Sequence, residues 1–181
     1  LHLALVHYPV LDKDKNSLAV SLTNLDIHDI ARSSCCYGLG GYYVVTPLQD
    51  QQRLLAELLA HWTTGAGSRS NPDRAEALRL IIAADNVAEV IAQVEARCGE
   101  RPLVLGSSAR PEGALSYQAV REALSERPVL LLLGTGHGLA PAVLEKCDGV
   151  LRPLRGASAY NHFSVRSAAA IMLDRILGDW H

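Results

Sequence analysis

Apolar positions along this chain follow two rhythms. Short unbroken runs of Val, Ile, Leu and Tyr alternate with longer segments in which apolar residues recur every three or four positions. Unbroken runs mark strands covered on both faces, and the longer spacing marks helices with one buried stripe. The runs predict strands over Leu3 to His7, Gly41 to Val45, Arg79 to Ala83, Pro102 to Leu105, Val129 to Leu133 and Gly149 to Leu151. The periodic segments predict helices over Asp26 to Tyr37, Gln49 to Trp62, Val87 to Arg97, Ser116 to Ser125, Ala140 to Lys146 and Ser164 to Leu177. Such alternation is the pattern of parallel strands joined by crossover helices. The expected fold is therefore a three-layer α/β/α domain with a six-stranded parallel sheet. Thr63 to Asp73 is crowded with turn formers and reads as a surface loop. No repeat or boundary divides the chain, so residues 1–181 are expected to form a single domain.

Composition narrows the class. A chain of 181 residues that is 49% hydrophobic and 20% charged is that of an ordinary globular domain. Its apolar runs fall short of the roughly 18 residues a membrane span needs, and the first residues lack an export signal. A cytoplasmic protein with no membrane partner is expected. The cysteines at 35, 36, 98 and 147 have no metal-ligand spacing, so reduced, mostly buried thiols and no metal are expected. A net charge of −2 excludes a bulk electrostatic grip on nucleic acid, although it leaves room for a local basic patch.

Chemistry concentrates in the last third. The run Val129 to Leu133 enters the loop Gly134-Thr135-Gly136-His137-Gly138, and Arg155 to His162 forms a second polar loop that opens onto the last helix. Glycines at a strand end let a ligand approach the backbone, and two such loops imply one composite site. A dinucleotide fingerprint is not present. Its third glycine would fall on Leu139, the loop follows the fifth strand, and the position about twenty on is occupied by Arg152, Pro153 or Leu154 rather than an acid. Gly106, Ser107, Gly134, Gly136, Gly156 and Ala157 leave space for a slot walled by Leu132, Leu133, Leu151 and Leu154.

These segments resemble a known family. Leu132 to Leu139, then Leu151-Arg152-Pro153-Leu154, then Tyr160-Asn161-His162-Phe163-Ser164-Val165 look like the two carboxyl-terminal motifs of the SPOUT RNA methyltransferases, in the same order and spacing. Upstream, Asn24 and Arg32, on a helix that runs into Tyr37-Gly38-Leu39-Gly40-Gly41, resemble the Asn and Arg motif of the ribose-methylating branch. The resemblance covers nearly the whole chain and is strongest to a compact bacterial group linked with tRNA guanine-N1 methyltransferases. It implies an α/β knot, in which the carboxyl-terminal segment threads a loop, and a homodimer with the site near its interface. It also implies S-adenosylmethionine as cofactor and tRNA or rRNA as substrate.

Carried onto this chain, the resemblance places the cofactor against Leu105, Gly106, Ser107, Leu133, Gly134, Thr135, Gly136, Gly138, Leu151, Leu154, Gly156, Ala159, Tyr160 and Asn161. Arg32 and Asn161 are the implied catalytic residues, and Asn24, Arg32, Arg155 and His162 the implied substrate contacts. The transferred methyl group is already activated, so the protein supplies geometry, and a base or an orienting cation for the nucleophile. His28, Asp29, His137 and His162 are further candidate proton acceptors, the two loop histidines serving otherwise as hydrogen-bond partners, and Asn161 or Ser164 is expected to cap the last helix. Arg32, Arg110, Arg152, Arg155 and Arg166 form a basic rim if they converge. Tyr160 stands where ribose methylators carry leucine, and no counterpart of the separate RNA-binding domain of the guanine-N1 enzymes is expected. A non-catalytic S-adenosylmethionine- or RNA-binding module, or a Rossmann-like nucleotide enzyme using NAD, are the alternatives. Val165, Ala168, Ala169, Ile171, Met172 and Ile176 make the last helix the expected floor of the cofactor site and dimer contact.

Overall fold

The computed structural model describes residues 1–108 and 114–179, so Arg110 lies outside the described residues. In chain order the elements are β1 (His2–Val6), β2 (Val10–Leu11), β3 (Ser17–Leu18), α1 (Asn24–Cys36), β4 (Tyr42–Val45), α2 (Gln49–Thr63), α3 (Ala66–Ser70), α4 (Pro72–Leu78) and β5 (Ile81–Ala84). They continue with α5 (Val87–Cys98), β6 (Leu103–Ser107), β7 (Ala114–Leu115), α6 (Tyr117–Leu124), β8 (Val129–Gly134), α7 (Pro141–Leu144), β9 (Gly149–Leu151) and α8 (Val165–Leu177).

The main sheet is parallel throughout, with strand order β5-β4-β1-β8-β6-β9-β7. It has seven strands rather than six, because the two-residue β7, too short to show any period, pairs with β9 at one edge. The central strands read as continuous apolar runs because both faces are covered. Leu3, Leu5, Leu131 and Leu133 face the layer of α1, α2, α4, α6 and α8, whereas Ala4, Val6, Leu130 and Leu132 face α5 and α7. Each fully buried leucine stabilises the fold by about 1.5–3 kcal/mol relative to an exposed one.

Register puts the strand ends in line. Val6 pairs with Val45 on one side and Gly134 on the other, and Ser107 pairs with Leu151. The loops that follow β1, β6, β8 and β9 therefore leave the sheet together at its carboxyl edge, where open α/β sheets bind ligands. A hairpin, β2 with β3, folds onto this edge and is stitched to the glycine loop by Leu11 N–H to the Gly138 carbonyl and His137 N–H to the Leu11 carbonyl, each at 2.9 Å.

The segment expected to be a loop, Thr63 to Asp73, is instead largely helical. Ser68 Oγ donates to the Gly65 carbonyl at 2.8 Å, Asn71 Oδ1 accepts from the Arg74 N–H at 3.0 Å, and Pro72 occupies the first turn of α4. Asn71 thus caps α4, Pro72 fits its first turn and Ser68 bonds back to the start of α3, so these turn formers serve helices. Gly67 is buried against Trp62, where a Cβ would meet the indole at 2.6 Å, and the Arg74 guanidinium lies 4.7 Å from the Trp62 ring centre. The cysteines are free, as expected, but not mostly buried: Cys36 and Cys98 are exposed and Cys35 and Cys147 are half-buried.

Candidate functional site

A cavity of about 600 Å³ opens at the carboxyl edge of the sheet. One wall is the glycine loop after β8. Thr135 fixes that loop to β1, its N–H and Oγ both donating to the Val6 carbonyl at 3.1 Å. The glycines answer first to the chain itself. A Cβ on Gly134 would sit 2.4 Å from the Leu139 nitrogen, and Gly136 combines φ of 59° with the Leu11 carbonyl 2.9 Å from its would-be Cβ. No other residue lets the loop fold back so tightly.

The opposite wall and floor come from the segment after β9 and from α8. Pro153, Leu154, Asn161, His162 and Phe163 border the space, and of the six α8 residues expected at its floor Val165, Ala168 and Met172 line its base, whereas Ala169 and Ile176 are buried in the core and Ile171 packs against it. Ser164 starts α8 by accepting a hydrogen bond from the Ser167 N–H at 3.3 Å. Asn161 Oδ1 is buried and has no hydrogen-bond partner among the described residues, so an acceptor faces the site unsatisfied.

The third side was not read from the sequence. Val20, Ser21, Thr23 and Asp26, between the hairpin and the first turn of α1, complete the lining. Asp26 is the one carboxylate among the described lining residues and is 7% exposed. Arg166 on α8 donates to it from Nη1 at 3.1 Å and reaches Asp29 from Nε at 3.6 Å. A signal for Asp26 did exist: it shares the buried stripe of α1 with Ile27, Ile30, Ala31 and Ser34, a place where an acid requires a partner.

Of the residues singled out above, Ser107, Leu133, Gly134, Thr135, Gly136, Gly138, Leu154, Asn161 and His162 meet at the cavity, together with His137. The others lie elsewhere. Leu105 and Leu151 are core residues, and Gly106 faces α7, where a Cβ would meet Leu144 at 2.6 Å. Arg155, Gly156, Ala159 and Tyr160 are exposed on the loop beyond the lining. Arg32 is exposed on α1, and Asn24 borders a separate apolar dent of about 150 Å³ between α1 and α2.

Behind this wall sits His7, fully buried at the end of β1, with neither ring nitrogen hydrogen-bonded. Burial lowers its pKa to about 4, against the opposing pull of the Val20 and Ser21 backbone and the Asp26 carboxylate.

An open parallel α/β sheet with a glycine-lined cavity at the carboxyl ends of its strands defines a small-molecule or nucleotide-cofactor protein. The particular family follows from comparison: residues 1–178 match the family model described as SAM-dependent RNA methyltransferase, and the chain belongs to that family. It is 64% identical over 179 residues to the tRNA (guanine-N(1)-)-methyltransferase of Nitratidesulfovibrio vulgaris and 60% identical over 179 residues to that of Oleidesulfovibrio alaskensis. In both cases the match covers 99% of this chain and 42% of the relative, so this chain spans less than half the length of those proteins. The fold is also that of the SpoU methyltransferase AviRb from Streptomyces viridochromogenes, solved with AdoMet, with a TM-score of 0.62 at 20% identity over 98% of this chain and 56% of that one.

The pKa of His7 sets a pH dependence. The unfolded chain takes up a proton near 6.5 and the folded one only near 4. Stability is therefore complete above pH 6.5 and falls as the pH drops from 6.5 towards 4, by up to roughly 3 kcal/mol from this residue. Urea unfolding across that window, wild type against His7→Gln, is expected to show a shallower loss in the variant.

Proposed function

We propose that this chain is an S-adenosylmethionine-dependent RNA methyltransferase domain and that the cavity holds the cofactor. The observation that carries the reading is the pairing of an apolar, glycine-bordered space of about 600 Å³ with the unsatisfied Asn161 Oδ1. A nucleoside with a methionyl arm requires apolar walls, a few polar partners and such a volume. Leu133, Leu154, Val165, Ala168 and Met172 supply walls, and Asn161 and the 134–138 backbone supply partners. When bound, the cofactor supplies an activated methyl group, which leaves the protein to position the acceptor and receive its proton.

Asp26 is the carboxylate placed to receive that proton, with Arg166 fixing its orientation. Asn161 orients the ligands at the start of α8. Arg32, Arg155 and His162, all exposed, are read as RNA contacts, and tRNA or rRNA in the cytoplasm as the substrate. The names of the longer relatives favour tRNA, and among the described residues no helix is long and apolar enough to cross a membrane. We read residues 1–181 as one methyltransferase domain and the crossing of the segment between β9 and α8 as a knot. That reading is supported by a chain that inserts β8 between β1 and β6, then returns past both to pack α8 on α1. A homodimer is proposed with α8 at its contact, the half-buried Ile171 lying on that helix.

Three measurements test these statements. Calorimetry on the purified chain is expected to show binding of S-adenosylmethionine and S-adenosylhomocysteine and none of NAD; the reverse pattern would overturn the assignment. Asp26→Asn is expected to lower kcat for methyl transfer to bulk tRNA roughly a hundred-fold or more while affecting cofactor affinity far less. Wild-type kcat in that variant would remove Asp26 from the chemistry. Light scattering at micromolar concentration is expected to give twice the 19.5 kDa chain mass, and a monomer would remove the dimer.

A further inference from the structure

Aromatic residues are scarce in this chain, at 5%, and the described ones divide between interior and surface. Tyr42 and Tyr43 are fully buried and Tyr117 nearly so. Among the described residues the exposed ones are Tyr8 at 43%, Phe163 at 46% and Tyr160 at 74%. None of the three is scattered at random. Tyr8 follows β1 and the other two follow β9, so all lie on loops at the carboxyl edge where the cavity opens. Phe163 lines the cavity itself, and Tyr160 is braced by His162, with ring centres 5.3 Å apart. A large ring held out in water forgoes the stabilisation of burial, and a group of them at a site mouth marks a binding surface.

The charge of the same segment identifies what it binds. From Gly149 to Leu173 there are three arginines and no aspartate or glutamate, in a chain whose net charge is −2. Arg166 is committed to Asp26 and Asp29, whereas Arg152 and Arg155 are exposed and have no ion-pair partner among the described residues. Exposed aromatic faces interleaved with unpaired cations suit a chain of stacked bases and phosphates. They do not suit a duplex, whose base faces are already covered.

We propose that Tyr160 and Phe163 form a stacking platform that holds unpaired nucleotides of RNA at the mouth of the cavity, with Arg152 and Arg155 on the flanking phosphates. The platform selects single-stranded or looped RNA over duplex and holds one nucleotide beside the reaction site. It rests on the RNA methyltransferase reading for its choice of polymer, yet it is measurable without any methyl transfer.

The test is binding of a short single-stranded RNA carrying one 2-aminopurine, followed by fluorescence quenching and anisotropy on the full chain, with the same strand in duplex as comparison. Wild type is expected to quench the probe and to prefer the single strand. Tyr160→Ala and Phe163→Ala are each expected to weaken binding about tenfold and to lose quenching, whereas Tyr160→Phe retains both because the ring face, not the hydroxyl, makes the contact. The platform is overturned if Tyr160→Ala binds and quenches like wild type, if Tyr160→Phe loses as much as the alanine variant, or if duplex binds as tightly as the single strand. A fall in solution mass in Tyr160→Ala would assign the patch to contact between copies and overturn it equally. Absence of cofactor binding by the wild type would sink the methyltransferase reading alone. Intact cofactor binding without stacking would sink the platform alone.

Discussion

Four parallel strands that end side by side are the constraint on which the site depends. Because Val6, Gly134, Ser107 and Leu151 are aligned by register, the loops that follow them have nowhere to go but into one another. The Leu, Val and Ile side chains buried on both faces hold that register, since a slip of one residue would exchange the two faces of every strand. The hairpin β2–β3 depends on it as well, being hydrogen-bonded to the same glycine loop. The tightness of that loop is a consequence of crowding at the edge. Gly134 is required by the approach of Gly138 and Leu139, before any ligand is considered.

A second dependence runs through the pair of helices that close the site. α1 and α8 are tied at both ends, by Asp26 with Arg166 beside the cavity and by Tyr37 Oη donating to Asp174 Oδ1 at 2.9 Å at the far end. A half-buried ion pair contributes little net stability, because desolvation offsets most of the attraction. Its effect is directional: it holds a carboxylate at a cavity lined otherwise by apolar, hydroxyl, amide and imidazole groups. His7 behind it is the converse case, a buried ring that desolvation keeps neutral. Among the described residues, Asn161 at this cavity is one of several buried groups left unsatisfied, and the others, such as Tyr42, Tyr43 and Arg127, lie away from it.

The two ends of the cavity differ in character, and the difference separates two tasks. Inside, small and aliphatic residues make a slot that would admit a rigid heterocycle. Outside, the segment after β9 displays rings and cations to solvent, which suits a flexible polymer that must be caught before it is placed. The proposed methyl transfer would use both, since its rate depends on holding the acceptor within reach of the methyl group.

The long elements were legible in the sequence to within one or two residues at most ends, because a run such as Val129 to Leu133 or the stripe Ile27, Ile30, Ala31, Ser34 carries a period that only one conformation can bury. The glycine loop and the segment to Asn161 and His162 were legible for a different reason: glycine spacing there answers to a backbone that folds back tightly on itself, and both segments carry the motifs of the resemblance. What failed did so on physical grounds. β7 and the β2–β3 strands are two residues each and hold no period, and α3 and α4 are built with the same Gly, Ser, Asn and Pro that build loops. The sequence by itself determined a parallel α/β sheet and its ligand edge, since burial of apolar runs leaves few alternatives. Only the tertiary structure decided that Asp26 rather than Arg32 reaches the cavity, that His7 is sealed behind it and that Tyr160 stands outside. Those facts depend on how α1, α8 and the returning loop pack across separations of more than a hundred residues, which no local pattern records.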